Sequence, residues 1–188
     1  MTGDSGGDKF YHLEYFHFMI NQLNDTIRYS DSKHTLGMTL VVSILFASNE
    51  FIFSKLDVSV YEVRLILNIN VASALLAIGF GYMGIFPKFV APSFTRRRRS
   101  GKPNIFYFRE IDRYHVDGLR QAIDEAFPNS ELSRRYRDDA VNEIHALSRV
   151  ASQKFAMLRL FLYALFFFLV TLGWLFVSTL LDLSAGRS

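Results

Sequence analysis

Two uncharged apolar runs dominate the chain: Leu65 to Phe86, which closes at Pro87 and Lys88, and Leu160 to Leu181, framed by Arg159 and Asp182. About 20 apolar residues in a helix rising about 1.5 Å per residue match a bilayer hydrocarbon core of roughly 30 Å. A charge at the centre of a span costs about 3 kcal/mol, and neither run holds one. Both runs are predicted transmembrane helices. A third apolar stretch, Thr35 to Asn49, stops at Glu50, or reaches Phe53 with Glu50 at the far interface. Its uncharged part, roughly 15 residues, is shorter than the usual span. The pattern therefore gives two spans and a candidate third.

Between Phe86 and Leu160 the period changes. Pro92, Ser100, Gly101 and Pro103 mark a linker. The aromatic segment Asn104-Ile-Phe-Tyr-Phe108 follows, readable as a short strand or as a segment lying on the bilayer surface. Ile111, His115, Leu119, Ile123 and Phe127 recur every four residues, which predicts an amphipathic helix ending at Pro128. Gly118 weakens it by about 1 kcal/mol relative to Ala. A further helix is predicted from Ser130, a capping residue, with Glu131 in its first turn. Its apolar seam reads Leu132, Tyr136, Ala140, Ile144, Leu147, Ala151, Phe155 and Leu158. No Pro or Gly interrupts the sequence before Gly173, so this helix is expected to continue into the last span, on the order of 75 Å in all.

The expected fold is an all-α membrane protein with about three transmembrane helices and a cytoplasmic helical insertion between the second and third. Its segments are an N-terminal cytoplasmic tail and pre-membrane helix (1–34), a transmembrane hairpin (35–88), a cytoplasmic linker and helical region (89–159), the third span (160–182) and a short tail (183–188). No internal repeat or low-complexity segment is present.

Charge sets the orientation. The net charge is only +3, but Lys88, the run Arg96, Arg97, Arg98 and Arg99, and Lys102 concentrate on one flank. The positive-inside rule makes that flank cytoplasmic, and with it the N-terminal tail. The hairpin tip from Glu50 to Glu62 and the tail from Asp182 then face outward; if the first stretch does not span, the N-terminus faces outward as well. The arginine run itself reads first as a topology signal that also meets anionic lipid. Contribution to a phosphate-bearing ligand site comes second, and nucleic-acid binding last, because no basic fold surrounds the run. The opening residues lack the pattern of a cleaved signal peptide.

Catalytic chemistry is not evident. The chain has no cysteine, no Gly-rich phosphate loop, no HExxH and no nucleophile elbow. His12, His17, His34, His115 and His145 are scattered without metal-ligand spacing, and the carboxylates of the soluble helices alternate with arginines as on a solvated, salt-bridged face. An enzyme is disfavoured, and neither a metal nor a cofactor is expected. The spans offer no ionisable group for a carrier. Asn68, Asn70, Ser73, Thr171, Ser178 and Thr179 are their interior polar residues, suited to joining helices, while Gly79, Gly81 and Gly84 permit close helix contact. Asp31 and Lys33, where a helix passes from water to lipid, read as interfacial anchors or as ligand contacts.

Several of these elements resemble the Pycsar transmembrane effector family. Ser30-Asp31-Ser32-Lys33, opening a hydrophobic hairpin, resembles its aspartate-any-lysine start. Asn104-Ile-Phe-Tyr-Phe108 resembles its asparagine-to-phenylalanine motif after a linker. Gln153-Lys154-Phe155 resembles its lysine-aromatic element before the last span. The resemblance covers about residues 20 to 182 and leaves out the tail carrying Tyr11, Tyr15, Phe16 and Phe18. His34 stands where the family often has alanine, and Arg109 where it often has glycine. The resemblance implies antiphage defence in the bacterial inner membrane. A partner pyrimidine cyclase makes cyclic CMP or cyclic UMP on infection, and the effector, a multi-pass homo-oligomer, senses it and impairs the membrane. Asp31, Lys33, Asn104, Phe106, Tyr107, Arg109 and Lys154 are then the candidate ligand contacts, with cations meeting the phosphate and aromatics stacking on the base. A membrane effector of another nucleotide-signalled system and a non-catalytic structural subunit are the alternatives.

Overall fold

The chain's four prolines, at positions 87, 92, 103 and 128, leave long stretches in which nothing removes a backbone donor, and helices fill those stretches. In the computed structural model, residues 6–55, 61–86, 103–127 and 134–184 are described. They form α1 (Gly6–Lys55), α2 (Tyr61–Ile85), α3 (Phe108–Ile111), α4 (Val116–Ala126) and α5 (Arg134–Ser184). The described residues contain no strand, so the all-α expectation holds. The Arg96–Arg99 run, most of the predicted linker and the Ser130 cap lie outside the described residues.

Two compact units share α1 and α5. The first takes Met1–Ser30 and Pro87–Lys154; the second takes Asp31–Phe86 and Phe155–Ser188.

In the first unit, α1 supplies Tyr15, Phe16, Met19 and Leu23 to a core completed by Ile105, Ile111, Leu119, Ala122, Ile123, Ala140, Val141, Ile144 and Ala151. Tyr15 and Phe16 of the segment read as a tail and pre-membrane helix are thus core, while Phe18 is exposed. Of the α5 seam, Ala140, Ile144 and Ala151 are buried as predicted, while Tyr136 is exposed. Burial of such side chains stabilises by about 1.5–3 kcal/mol for each large aliphatic or aromatic group. Two ion pairs tie α4 to α5: Arg120 Nε donates to Asp138 at 2.9 Å, and Arg137 Nη1 lies 3.1 Å from Asp124.

The predicted helix over residues 111–127 is two helices. Ile111, Leu119 and Ile123 are buried as the four-residue period requires, but His115 is exposed and its backbone is extended, at φ −69° and ψ 152°. A continuous helix would give the Tyr114 carbonyl to the amide of Gly118. Here that carbonyl accepts from His145 Nε2 of α5 at 3.1 Å, and the chain breaks at that point.

In the second unit, Val41, Ala74, Ala77, Phe161, Ala164 and Phe168 form one core cluster, and Leu67 with Leu175 another. Glycines set the helix spacing. A Cβ on Gly84 would fall on the His34 ring, and one on Gly37 on the Phe161 ring, whereas one on Gly79 would meet nothing within 4 Å. Asn70, buried on α2, joins α5 by donating from Nδ2 to the Phe168 carbonyl at 3.0 Å and to Thr171 Oγ1 at 2.8 Å. Among the described residues, Val63–Ile85 and a window within Arg135–Leu181 are long and apolar enough to cross a membrane. The stretch around Thr35–Asn49 does not meet that measure.

Candidate functional site

The segment from Asn104 to Arg109 is a turn leading into α3. Asn104 Oδ1 accepts the Phe106 amide at 3.0 Å and the Asn104 carbonyl accepts the Tyr107 amide at 3.1 Å. This is the Asx-turn geometry that asparagine favours, since its side chain imitates a backbone carbonyl. The strand reading of this segment does not describe it. Ile105 points into the core, and its carbonyl accepts the Tyr15 hydroxyl at 3.0 Å. The turn therefore projects Phe106 and Tyr107 outward, 60% and 45% exposed.

Phe106 stands edge-on to Tyr15 with ring centroids 5.6 Å apart, and Tyr15 also meets Phe127 at 5.1 Å. Such pairs contribute about 0.5–1.5 kcal/mol beyond burial. Burial pushes the Tyr15 phenol well above its ordinary value, so it stays a neutral donor to Ile105. Tyr15 is the residue that sequence reasoning missed. Its signal was the spacing of Tyr15, Phe16, Met19 and Leu23, a helical seam with apolar members three and four apart.

Asn104, Phe106, Tyr107 and Arg109 thus fall within one turn and the start of α3, with Arg109 half-buried. Lys154, in the same unit on α5, is only 4% exposed. Burial of a lysine is uncommon and requires partners for its ammonium. Asp31, half-buried, and Lys33, exposed, belong to the second unit on α1. That unit also holds an apolar groove of about 520 Å³, lined by Ile44, Ala47, Leu169, Leu172 and Phe176 with Ser48 its polar member. The Ser48 hydroxyl donates to the Leu45 carbonyl at 3.3 Å, which leaves little there to read a nucleotide.

The model of the Pycsar effector protein domain matches residues 15–181, nearly the whole chain. The chain belongs to the Pycsar effector family. The match begins at Tyr15, so Tyr15, Phe16 and Phe18, which sequence reading left outside the resemblance, are part of the family domain, while Tyr11 precedes it. No curated protein and no solved structure matches the chain. The family is one of antiphage-defence membrane effectors rather than a catalytic one, and the two long apolar helices fit membrane association.

Proposed function

We propose that this Pycsar effector senses cyclic CMP or cyclic UMP, made by a partner pyrimidine cyclase on phage infection, and then impairs the bacterial inner membrane so that the infected cell dies. The observation that carries the reading is the family match over residues 15–181, joined to an aromatic and cationic turn on the first unit. Phe106 and Tyr107 offer exposed ring faces for the base. Arg109, Lys154 and Asn104, in that same unit, are the charged and polar candidates for the phosphate and sugar. The first unit is cytoplasmic because the Arg96–Arg99 run adjoins the second span. The chain crosses the membrane three times, with α1 supplying the short span, and it acts as a homo-oligomer.

Activation needs differential affinity: the nucleotide must bind the membrane-impairing state more tightly than the resting one. The ligand-contact assignment is tested by charge reversal. Arg109→Glu and Lys154→Glu are each expected to abolish the nucleotide response while the protein still inserts. A response that survives both reversals removes these residues from the site.

A further inference from the structure

Helix α2 has two opposite sides. Leu67, Asn70, Ala74 and Ala77 are buried on the side that packs in the second unit. On the other side Asn68, Ala72, Leu75, Gly79 and Tyr82 recur at steps of four and three residues, the spacing of a helix-pairing seam. Asn68 and Ala72 are exposed, Leu75 and Tyr82 are more than half exposed, and a Cβ on Gly79 would meet nothing within 4 Å. The described residues thus leave this seam uncovered.

Asn68 decides what covers it. It stands about 5 Å inside the uncharged run that begins at Leu65, at about 1.5 Å per residue. Its single methylene is too short to carry the carboxamide back to the headgroups as a lysine stem does. Lipid tails offer neither donor nor acceptor, so a carboxamide that faces them goes unsatisfied at a cost in free energy. A threonine on a lipid-facing surface relieves itself within its own helix, as Thr39 on α1 does by donating to the Thr35 carbonyl at 3.0 Å. The Asn68 carboxamide makes no hydrogen bond among the described residues. Asn70, on the buried side of the same helix, shows what a carboxamide does here when a neighbour is within reach: it donates twice to α5. The exposed side of α5 differs, presenting Leu162, Tyr163, Phe166, Phe167 and Val170, bulky side chains suited to lipid.

We propose that this seam is the contact between two copies of the chain in the membrane, α2 against α2. Copies inserted the same way are related by an axis along the membrane normal, so their α2 helices run parallel and Asn68 meets its own counterpart. A carboxamide both donates and accepts, so two identical ones satisfy each other. Ala72 and Gly79 let the backbones approach, while Leu75 and Tyr82 fill the layers between. The inference rests on the homo-oligomer reading above and gives that oligomer its contact. The unmet carboxamide belongs to the nucleotide-free chain, so the pairing needs no nucleotide.

The chain has no cysteine, so single cysteines each report on one position. Full-length Ala72→Cys, Leu75→Cys and Gly79→Cys are oxidised in proteoliposomes without nucleotide, beside Ile69→Cys and Leu76→Cys, which are exposed on the flank of the same helix. Disulfide-linked dimers are expected at the seam positions and not at the flank, because the bond needs Cβ atoms about 4 Å apart. Energy transfer between copies labelled at a cysteine added after Ser188, followed as lipid dilutes the protein, gives the dimer dissociation constant. Asn68→Leu is expected to raise that constant about 3- to 20-fold by loss of the interhelical bonds. If the wild type associates, equal crosslinking at seam and flank overturns the proposal, and so does an unchanged dissociation constant in Asn68→Leu; the oligomer reading then stands with its contact elsewhere. A wild type that stays monomeric at every dilution removes the oligomer reading itself, and this contact with it.

Discussion

Removing one oxygen atom from Tyr15 should loosen the turn that carries the candidate site. Tyr15 is 7% exposed, and its hydroxyl donates to Ile105, itself 9% exposed, at 3.0 Å. Tyr15→Phe keeps the ring contacts with Phe16, Phe106 and Phe127 and deletes only the donor. The Ile105 carbonyl is left buried without that partner, which costs about 1–3 kcal/mol. That corresponds to roughly a 5- to 150-fold rise in the opening equilibrium of the turn. Hydrogen–deuterium exchange reads this directly, because the Phe106 and Tyr107 amides are both bonded within the turn. On the full chain in nanodiscs, those amides should exchange faster by that factor, while α2 amides should not change. Tyr15→Ala should go further, by about 3–5 kcal/mol for the lost ring. Exchange at Phe106 and Tyr107 that is the same in wild type and Tyr15→Phe refutes the reasoning.

The same residue predicts a pH dependence. Burial raises the folded phenol above the ordinary 10.0, so the stability this contributes is present below about pH 10 and is lost as pH rises through the folded value. Melting curves taken upward from about pH 9 should fall less steeply for Tyr15→Phe than for wild type. In the second unit, Gly84→Ala places a Cβ on the His34 ring and should lower melting stability by about 1–3 kcal/mol, whereas Gly79→Ala, with nothing within 4 Å, should be neutral or stabilising. Asn70→Leu should cost about 0.6–1.7 kcal/mol by loss of its bonds to Phe168 and Thr171, and a double-mutant cycle with Thr171→Val should show that the two effects do not add. Asp138→Ala should matter little, under about 1 kcal/mol and less at high salt, because its pair with Arg120 is about one-third exposed on both sides.

Periodicity made the long apolar helices legible, and α5 continues from the predicted seam into the last apolar run, as the absence of Pro and Gly before Gly173 predicted. Where the reading of the 111–127 helix and of Tyr15 failed, a contact distant in sequence decided the outcome. His115 has the right spacing for the seam of a single helix, but the bond from His145 to Tyr114, 31 residues apart, breaks that helix before α4. The Tyr15 hydroxyl reaches across 90 residues to Ile105, and nothing local marks it as the support of the aromatic turn. The aromatic motif itself was visible, yet its conformation depends on the Asn104 side chain taking the Phe106 amide, which outweighs the strand preference of Ile, Phe and Tyr.

The most direct test of nucleotide-triggered membrane impairment is dye uptake by cells expressing the protein together with a cyclase that makes cyclic CMP or one that makes cyclic UMP. The account predicts rapid uptake with one of the two nucleotides and none with the other or with an inactive cyclase. Cells that stay sealed with both, while the protein is shown to be inserted in the membrane, contradict it.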